Sequence, residues 1–185
     1  MTNKELIAGL CSGDKESFRY LVEQYQDKVF SLAYSFVKTR QEAEDIAQEV
    51  FIEVFKSINK FRKESELSSW IYRITVNKSL NIYKRIKRQS VQEDMELFAH
   101  RSNEEGQNPE KTLQQKQNAE ALNFAINKLP EKQKIAYTLR HFNGLSYKEI
   151  SEIINKSKSS VESLIHRAHK KLYALLYDYY EENMK

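Results

Sequence analysis

The sequence predicts an all-α protein: two small helical domains joined by an acidic, flexible linker, the second containing a helix-turn-helix. Three observations carry that expectation. Gly and Pro number only 4 and 2 in 185 residues, so few positions interrupt a helix. Apolar residues recur at spacings of three and four along most of the chain, which gathers them on one helical face. No window sustains the two-residue alternation of a strand. With 40% hydrophobic and 11% aromatic residues, the chain has enough apolar surface to pack cores, which argues against global disorder.

The elements follow in order. Phe18, Leu21, Val22 and Tyr25 begin a stripe that Val29, Leu32, Ala33 and Phe36 continue. The best stripe is Ala43, Ile46, Ala47, Val50, Phe51, Val54, Phe55 and Ile58. Thr39 and Glu42 stand before it as a capping box would, the threonine oxygen taking an orphan N–H and the glutamate reaching back. Another helix is expected from about Ser69 to Arg88. Beyond it the composition changes: six acids stand against one base from Gln92 to Glu110, and Gly106 and Pro109 fall in the same stretch. These features predict a linker over 89–112, between an N-terminal domain at 1–88 and a C-terminal domain at 113–185.

In the second domain, Leu122, Ala125, Ile126 and Leu129 form a stripe that ends at Pro130. A helix from about Glu131 to His141 should stop at Asn143-Gly144, since glycine takes positive φ past a helix end without a Cβ clash. Ser146 and Glu149 form a second capping box, opening a short helix to about Ile154. Val161, Leu164, Ile165, Ala168, Leu172, Leu175, Leu176 and Tyr179 trace a long last helix.

The start of the chain lacks the apolar core of about 7–15 residues that a signal peptide requires. No apolar run approaches the ~18–20 residues of a membrane span. The lone Cys11 cannot form an internal disulfide. A soluble cytoplasmic protein, without membrane insertion, is the expectation.

The net charge of +4 hides a segregation. Gln41 to Glu53 holds five acids and no base; Leu67 to Gln92 holds six bases and no acid; Asn155 to Lys171 holds five bases and one acid. Each run by itself is compatible with a solvated helix face. Two basic runs on two domains, the first beside Trp70, Tyr72 and Tyr83, point to nucleic acid contacted twice.

Tyr147 to Leu164 has the pattern of a helix-turn-helix. Ile150 and Ile154 are expected to face the core, Ser151 is small where helices cross, and Asn155 suits a turn with positive φ. Val161 and Leu164 would anchor the second helix. Lys158, Ser159, Ser160, Glu162, Ser163, His166 and Arg167 are then left to face outward, where the start of such a helix meets base edges in the major groove. Ser159 and Glu162 also fit a capping box, and Lys156 stands where an apolar turn residue is usual.

These blocks together resemble an extracytoplasmic-function (ECF) sigma factor of bacterial RNA polymerase. FRYLVEQYQDKVFSLAYSFV and TRQEAEDIAQEVFIEVFKSINKF look like the first helices and the polymerase-binding helix. FRKESELSSWIYRITVNKSLNIYKRIKR looks like the promoter-melting segment, and LPEKQKIAYTLRHFNGLSYKEISEIINKSKSSVESLIHRAHKKL like the upstream-element domain. The match covers nearly everything except the linker. It implies that Glu44, Asp45, Gln48 and Glu49 bind core RNA polymerase. It places single-stranded −10 DNA near Arg62, Lys63, Leu67, Asn77, Lys78, Asn81, Lys84 and Arg85, with a loop over Phe61 to Ser69 receiving a flipped base of the non-template strand. It assigns duplex −35 contacts to Glu162, Ser163, His166 and Arg167, with Lys158, Ser159, Ser160 and Lys170 around them. Many members carry a basic residue where this chain has Glu162, which bears on the preferred −35 sequence. The resemblance further implies an anti-sigma partner, and a linker that threads toward the polymerase channels. Trp70, at helical spacing with Ile71 and Ile74, reads as a core residue.

No phosphate-cradling glycine loop and no nucleophile elbow is present, so no catalysis and no cofactor are expected. His166 and His169, three apart, lack a nearby Cys or third His in the sequence, and no metal is expected there. Two rival classes fit parts of the pattern: a dimeric helix-turn-helix regulator that binds duplex DNA alone, and a nucleic-acid-processing enzyme. The acidic helix before the melting-like segment disfavours the first, and the missing catalytic cluster disfavours the second.

Overall fold

The computed structural model describes residues 2–61, 66–93 and 113–183. Arg62, Lys63 and the expected linker beyond Glu93 lie outside these residues. The described residues hold eight α-helices and no strand: α1 (Asn3–Cys11), α2 (Lys15–Val37), α3 (Arg40–Ser57), α4 (Leu67–Glu93), α5 (Leu113–Asn127), α6 (Glu131–His141), α7 (Tyr147–Ile154) and α8 (Lys158–Asn183). A 3-10 turn, Ile58–Lys60, follows α3. The chain divides into two compact units, Met1–Glu105 and Gly106–Lys185. Helix α4 runs past the expected boundary at 88 and takes in the first residues assigned to the linker.

In the first unit, α2, α3 and α4 pack against one another in all three pairings. The apolar stripes become the core: Leu21, Val29, Ala33, Ile46, Val50, Val54 and Ile71 are fully or almost fully buried. Small polar residues on α4 share that core. Thr75 Oγ1 donates to Ile71 O at 3.0 Å and Ser79 Oγ to Thr75 O at 2.8 Å, so neither hydroxyl is buried without a partner.

Helix α1 was not anticipated, although Thr2 and Glu5 make a complete capping box before it. It packs on α2 and on the 3-10 turn. Gly9 is required at that contact: a Cβ there would overlap the Ser17 side chain. Asp14 then caps α2, accepting from Ser17 N at 2.8 Å and Ser17 Oγ at 2.6 Å. These two bonds hold its carboxyl below the usual carboxylate range.

Two expectations for α3 need correction. Thr39 is the residue before the helix, but its side chain caps no backbone N–H. Its Oγ1 donates to Glu42 Oε2 at 2.7 Å, so the two side chains bind each other and the capping box does not form. Phe55 belongs to the predicted core stripe yet is 52% exposed, with its ring set edge-on to Phe18 at 5.3 Å. Phe55 ends the row Ala47, Phe51, Phe55, in which each step of four residues turns the side chain about 40° further round the helix, away from the buried face that Ile46, Val50 and Val54 hold.

In the second unit, α8 is the hub on which α5, α6 and α7 all pack. Ala125, Ile126 and Leu129 meet Ala168 and Leu172, with Leu122, Tyr137, Leu175 and Leu176 closing around them. The capping box at Ser146 and Glu149 is complete. Asn155 ends α7 at φ 51 and ψ 57, the left-handed turn its identity suggested. Ile150 is buried as expected, but its partner is Ile153, 4% exposed, rather than Ile154. On a helix of 8 residues either spacing serves, and packing against α8 selects the i+3 residue.

Candidate functional site

Three exposed surfaces carry the residues singled out by the sequence. The first is the outer face of α3. Val50, Ile46 and Ala43 anchor the helix inward, which leaves Glu44, Asp45, Gln48 and Glu49 exposed. Two of these four have partners within the unit. Arg40 Nε donates to Glu44 Oε1 at 2.7 Å across one turn. Lys78 Nζ, on α4, donates to Glu49 Oε2 at 3.1 Å. A groove of about 570 Å³ between α2 and α3 runs alongside, lined by Val22, Phe30, Ala47 and Phe51 and by Glu44 and Gln48.

Ile52, 53% exposed, continues the line Asp45, Gln48, Glu49 at the next helical step and sets a large apolar side chain among acids. Sequence reasoning did not single it out. Its signal was available: Ile52 is the apolar residue in 43–58 that falls outside the core stripe.

The second surface is on α4. Asn77, Asn81, Lys84, Arg85 and Arg88 are exposed and step by threes and fours, so they share one face. Lys78 is set apart from them by its bond to Glu49, with a side chain only 26% exposed. Leu67, expected at the rim of a base pocket, is 2% exposed and belongs to the core. The reason is its place in the first turn of α4, on the same face as Ile71. Trp70 is half-buried, its ring 5.4 Å from that of Phe61. Tyr83 is half-buried as well, and burial pushes its phenol up. Arg62 and Lys63 lie outside the described residues.

The third surface is on α8. Val161, Ile165 and Ala168 point into the unit, so Lys158, Ser159, Glu162, Ser163, His166, Arg167 and Lys170 are exposed. The helix start settles which serine caps it. Ser160 N donates to Ser157 Oγ at 3.2 Å, and the Ser157 and Ser160 hydroxyls lie 2.8 Å apart. Ser157 is the capping residue, so a capping box of Ser159 with Glu162 does not form. Ser160 is turned toward the cap and partly covered, while the Glu162 carboxylate is left exposed on the outer face. Lys156 is exposed too, its backbone N–H closing the turn on Ser151 O at 3.0 Å. His169 meets His141 of α6 rather than His166, with the two Nε2 atoms 3.0 Å apart.

Each unit thus presents a polar face backed by a buried apolar one, and known proteins resemble the chain over both units. Residues 21–89 match the model of sigma-70 region 2, and residues 119–172 match that of sigma-70 region 4. The chain is 34% identical to the RNA polymerase sigma-H factor of Pseudomonas aeruginosa over 172 residues, which cover 90% of this chain and 89% of that protein. It is 34% identical to the ECF RNA polymerase sigma-E factor of Haemophilus influenzae, covering 91% and 92% of the two chains. The sigma-E factor of Escherichia coli K12 is 32% identical over 91% of each. Among solved structures, CnrH in complex with the cytosolic domain of CnrY superposes with a TM-score of 0.69, at 22% identity, covering 94% and 96%. The sigma factor RpoE of Bartonella quintana, solved with the anti-sigma factor NepR, gives 0.63 at 21% identity, covering 87% and 97%. The chain therefore belongs to the sigma-70 family of RNA polymerase sigma factors, in its ECF group. It is a transcription initiation factor that binds DNA.

Among the described residues, no helix is long and apolar enough to cross a membrane, and no three His, Cys, Asp or Glu side chains gather as a metal site.

Proposed function

We propose that the three surfaces divide the work of promoter recognition among themselves. The α3 face, Glu44, Asp45, Gln48 and Glu49, docks on a basic surface of core RNA polymerase, with Ile52 as its apolar anchor. Acids around one exposed aliphatic side chain give steering and fixed register at the rim and desolvation at the centre. The α4 face, Asn77, Asn81, Lys84 and Arg85, holds the single-stranded backbone of the −10 element. Amides and cations suit that target, because they can satisfy phosphates and base edges without a duplex groove. Arg62 and Lys63 join it from the sequence alone. Lys78 serves the fold through Glu49 before it serves DNA.

The α8 face reads the −35 element as duplex. Arg167 can pair with guanine and Glu162 can accept from the cytosine amino group. Ser159, Ser163, His166 and Lys170 hold register and phosphates. The work is done by binding free energy: contacts to polymerase and to extruded bases offset the unstacking of the duplex, a few kcal/mol per base. We assign the protein no covalent chemistry, a cytoplasmic location, an anti-sigma partner, and a linker over 89–112 that joins its domains. The observation that carries the reading is the pairing of an exposed acidic helix in one unit with an exposed recognition helix in the other.

Run-off transcription with core polymerase on genomic promoter fragments tests it. Protein-dependent transcripts that start downstream of a shared two-part motif are expected. Sequence-specific duplex binding by the protein alone, without any transcript, overturns the proposal in favour of a free-standing regulator.

A further inference from the structure

His141 ends α6 and His169 lies on α8, 28 residues further along the chain, yet their Nε2 atoms stand 3.0 Å apart. Both residues are exposed, so the pair opens to solvent. The ring centroids are 4.8 Å apart and the planes cross at 81°. That separation is shorter than rings meeting nitrogen to nitrogen along one line would give, so the contact is bent. Tyr137 braces them: its ring stacks on His141 at 4.4 Å and 28°, and stands edge-on to His169 at 5.5 Å.

Two neutral imidazoles placed this way share one proton, the Nε2–H of one donating to the lone pair of the other. With that proton displaced, two imidazole nitrogens 3.0 Å apart, on two helices that packing holds together, are available to one cation. An ion with metal–nitrogen bonds of 2.0–2.1 Å would subtend an angle of roughly 91–97° across a 3.0 Å nitrogen separation. A tetrahedral ion needs the nitrogens about 3.3 Å apart at the same bond length. A near-right angle belongs to square-planar or octahedral coordination, the preference of Cu(II) and Ni(II).

We propose that His141 and His169 form a two-nitrogen clamp for a late first-row divalent cation, Cu(II) ahead of Ni(II), which ties α6 to the recognition helix α8. Water fills the remaining positions, since no third His, Cys, Asp or Glu among the described residues completes the set. Tyr137 supplies support, its ring packed against both imidazoles. Coordination would fasten the scaffold helix to the helix bearing His166, Arg167 and Lys170. The inference stands on the fold of the second unit and does not depend on the promoter assignments above.

The test is titration of the full-length protein with CuCl2, and separately with NiCl2, with electron paramagnetic resonance on the Cu(II) form. One Cu(II) per chain with hyperfine coupling to two imidazole nitrogens is expected. His141→Gln and His169→Gln should each weaken Cu(II) binding by more than about tenfold, the least that loss of a direct ligand should cost when second-shell changes already cost 10–100-fold. Cu(II) should also raise the melting temperature of the parent protein and not of these two variants. The proposal is overturned if the double variant binds Cu(II) as tightly as the parent. It is equally overturned if His166→Gln, rather than His141→Gln, removes the coupling.

Discussion

Glu49→Lys, made alone and together with Lys78→Glu, separates two roles that one carboxylate holds. In the fold, Glu49 accepts from Lys78 at 3.1 Å, tying α3 to α4. In the proposed function, it also faces core polymerase. At 3.1 Å two unit charges attract by about 1.3 kcal/mol in bulk water. The side chains are 57% and 26% exposed, so the watery limit governs, and side-chain ordering reduces the net to about 0.5–1 kcal/mol. Reversal loses that and sets two ammonium groups face to face. Because both can swing outward, the total cost is about 1–1.5 kcal/mol. For a unit of this size that lowers the melting temperature by roughly 4–10 °C.

Trp70 is the only tryptophan and lies on α4, so its fluorescence follows the unfolding of this unit alone. The charge-swapped double variant restores the pair with its signs exchanged, and should recover most of the lost stability. Affinity for core polymerase, measured without DNA so that Lys78 has no part in it, should fall several-fold in Glu49→Lys and stay low in the swap. The loss should shrink at high salt, where exposed charges are screened. If the swap recovers both the melting temperature and the affinity, Glu49 acts by holding α3 to α4, and the docking assignment fails.

Asn155→Ala should destabilise the second unit by about 1 kcal/mol, because alanine pays for a left-handed backbone at φ 51, whereas Asn155→Gly should be neutral or better; equal melting of the two variants would show that the turn does not hold that conformation. Arg167→Ala should weaken binding to the upstream duplex by about 1–3 kcal/mol if it reads a base, and the loss should vanish on sequences that lack that base. A uniform loss across sequences assigns Arg167 to phosphate. Burial first, then His169 and Arg140, hold His141 below the usual histidine range, so the folded unit binds fewer protons there than the unfolded chain. Its contribution to stability is present above about pH 6.5 and is lost as pH falls from there through the lowered folded value. Urea midpoints followed by circular dichroism at about pH 7.5 and 5.5 should differ less in His141→Gln than in the parent; an unchanged difference places the sensitivity elsewhere.

Features that rest on a residue and its near neighbours were legible in the sequence. The stripes through Leu21, Ile46, Val50 and Ala168 became cores, and Ser146 with Glu149 made the cap their spacing promised. Asn155 took the left-handed turn. Yet the same local signal misled at Thr39, whose hydroxyl found Glu42 instead of an amide, and it was overlooked at Thr2 with Glu5, where no long apolar stripe follows to draw attention to the helix. Ser157 rather than Ser159 capped α8, because the helix begins two residues earlier than a cap at Ser159 would set it.

The helical class, the helix-turn-helix and the charge of each helix face can be read along the chain, since side-chain periodicity and turn chemistry act within a few residues. Which of those charged residues answer to one another depends on how the helices pack. Glu49 and Lys78 are 29 residues apart and His141 and His169 are 28 apart, so their meeting is set by how helices cross. The same crossings chose Ile153 over Ile154, buried Leu67 and left Ile52 exposed. A helix repeats its face every 3.6 residues whatever lies beside it, but the part of that face that is covered depends on a neighbour whose position no local pattern encodes.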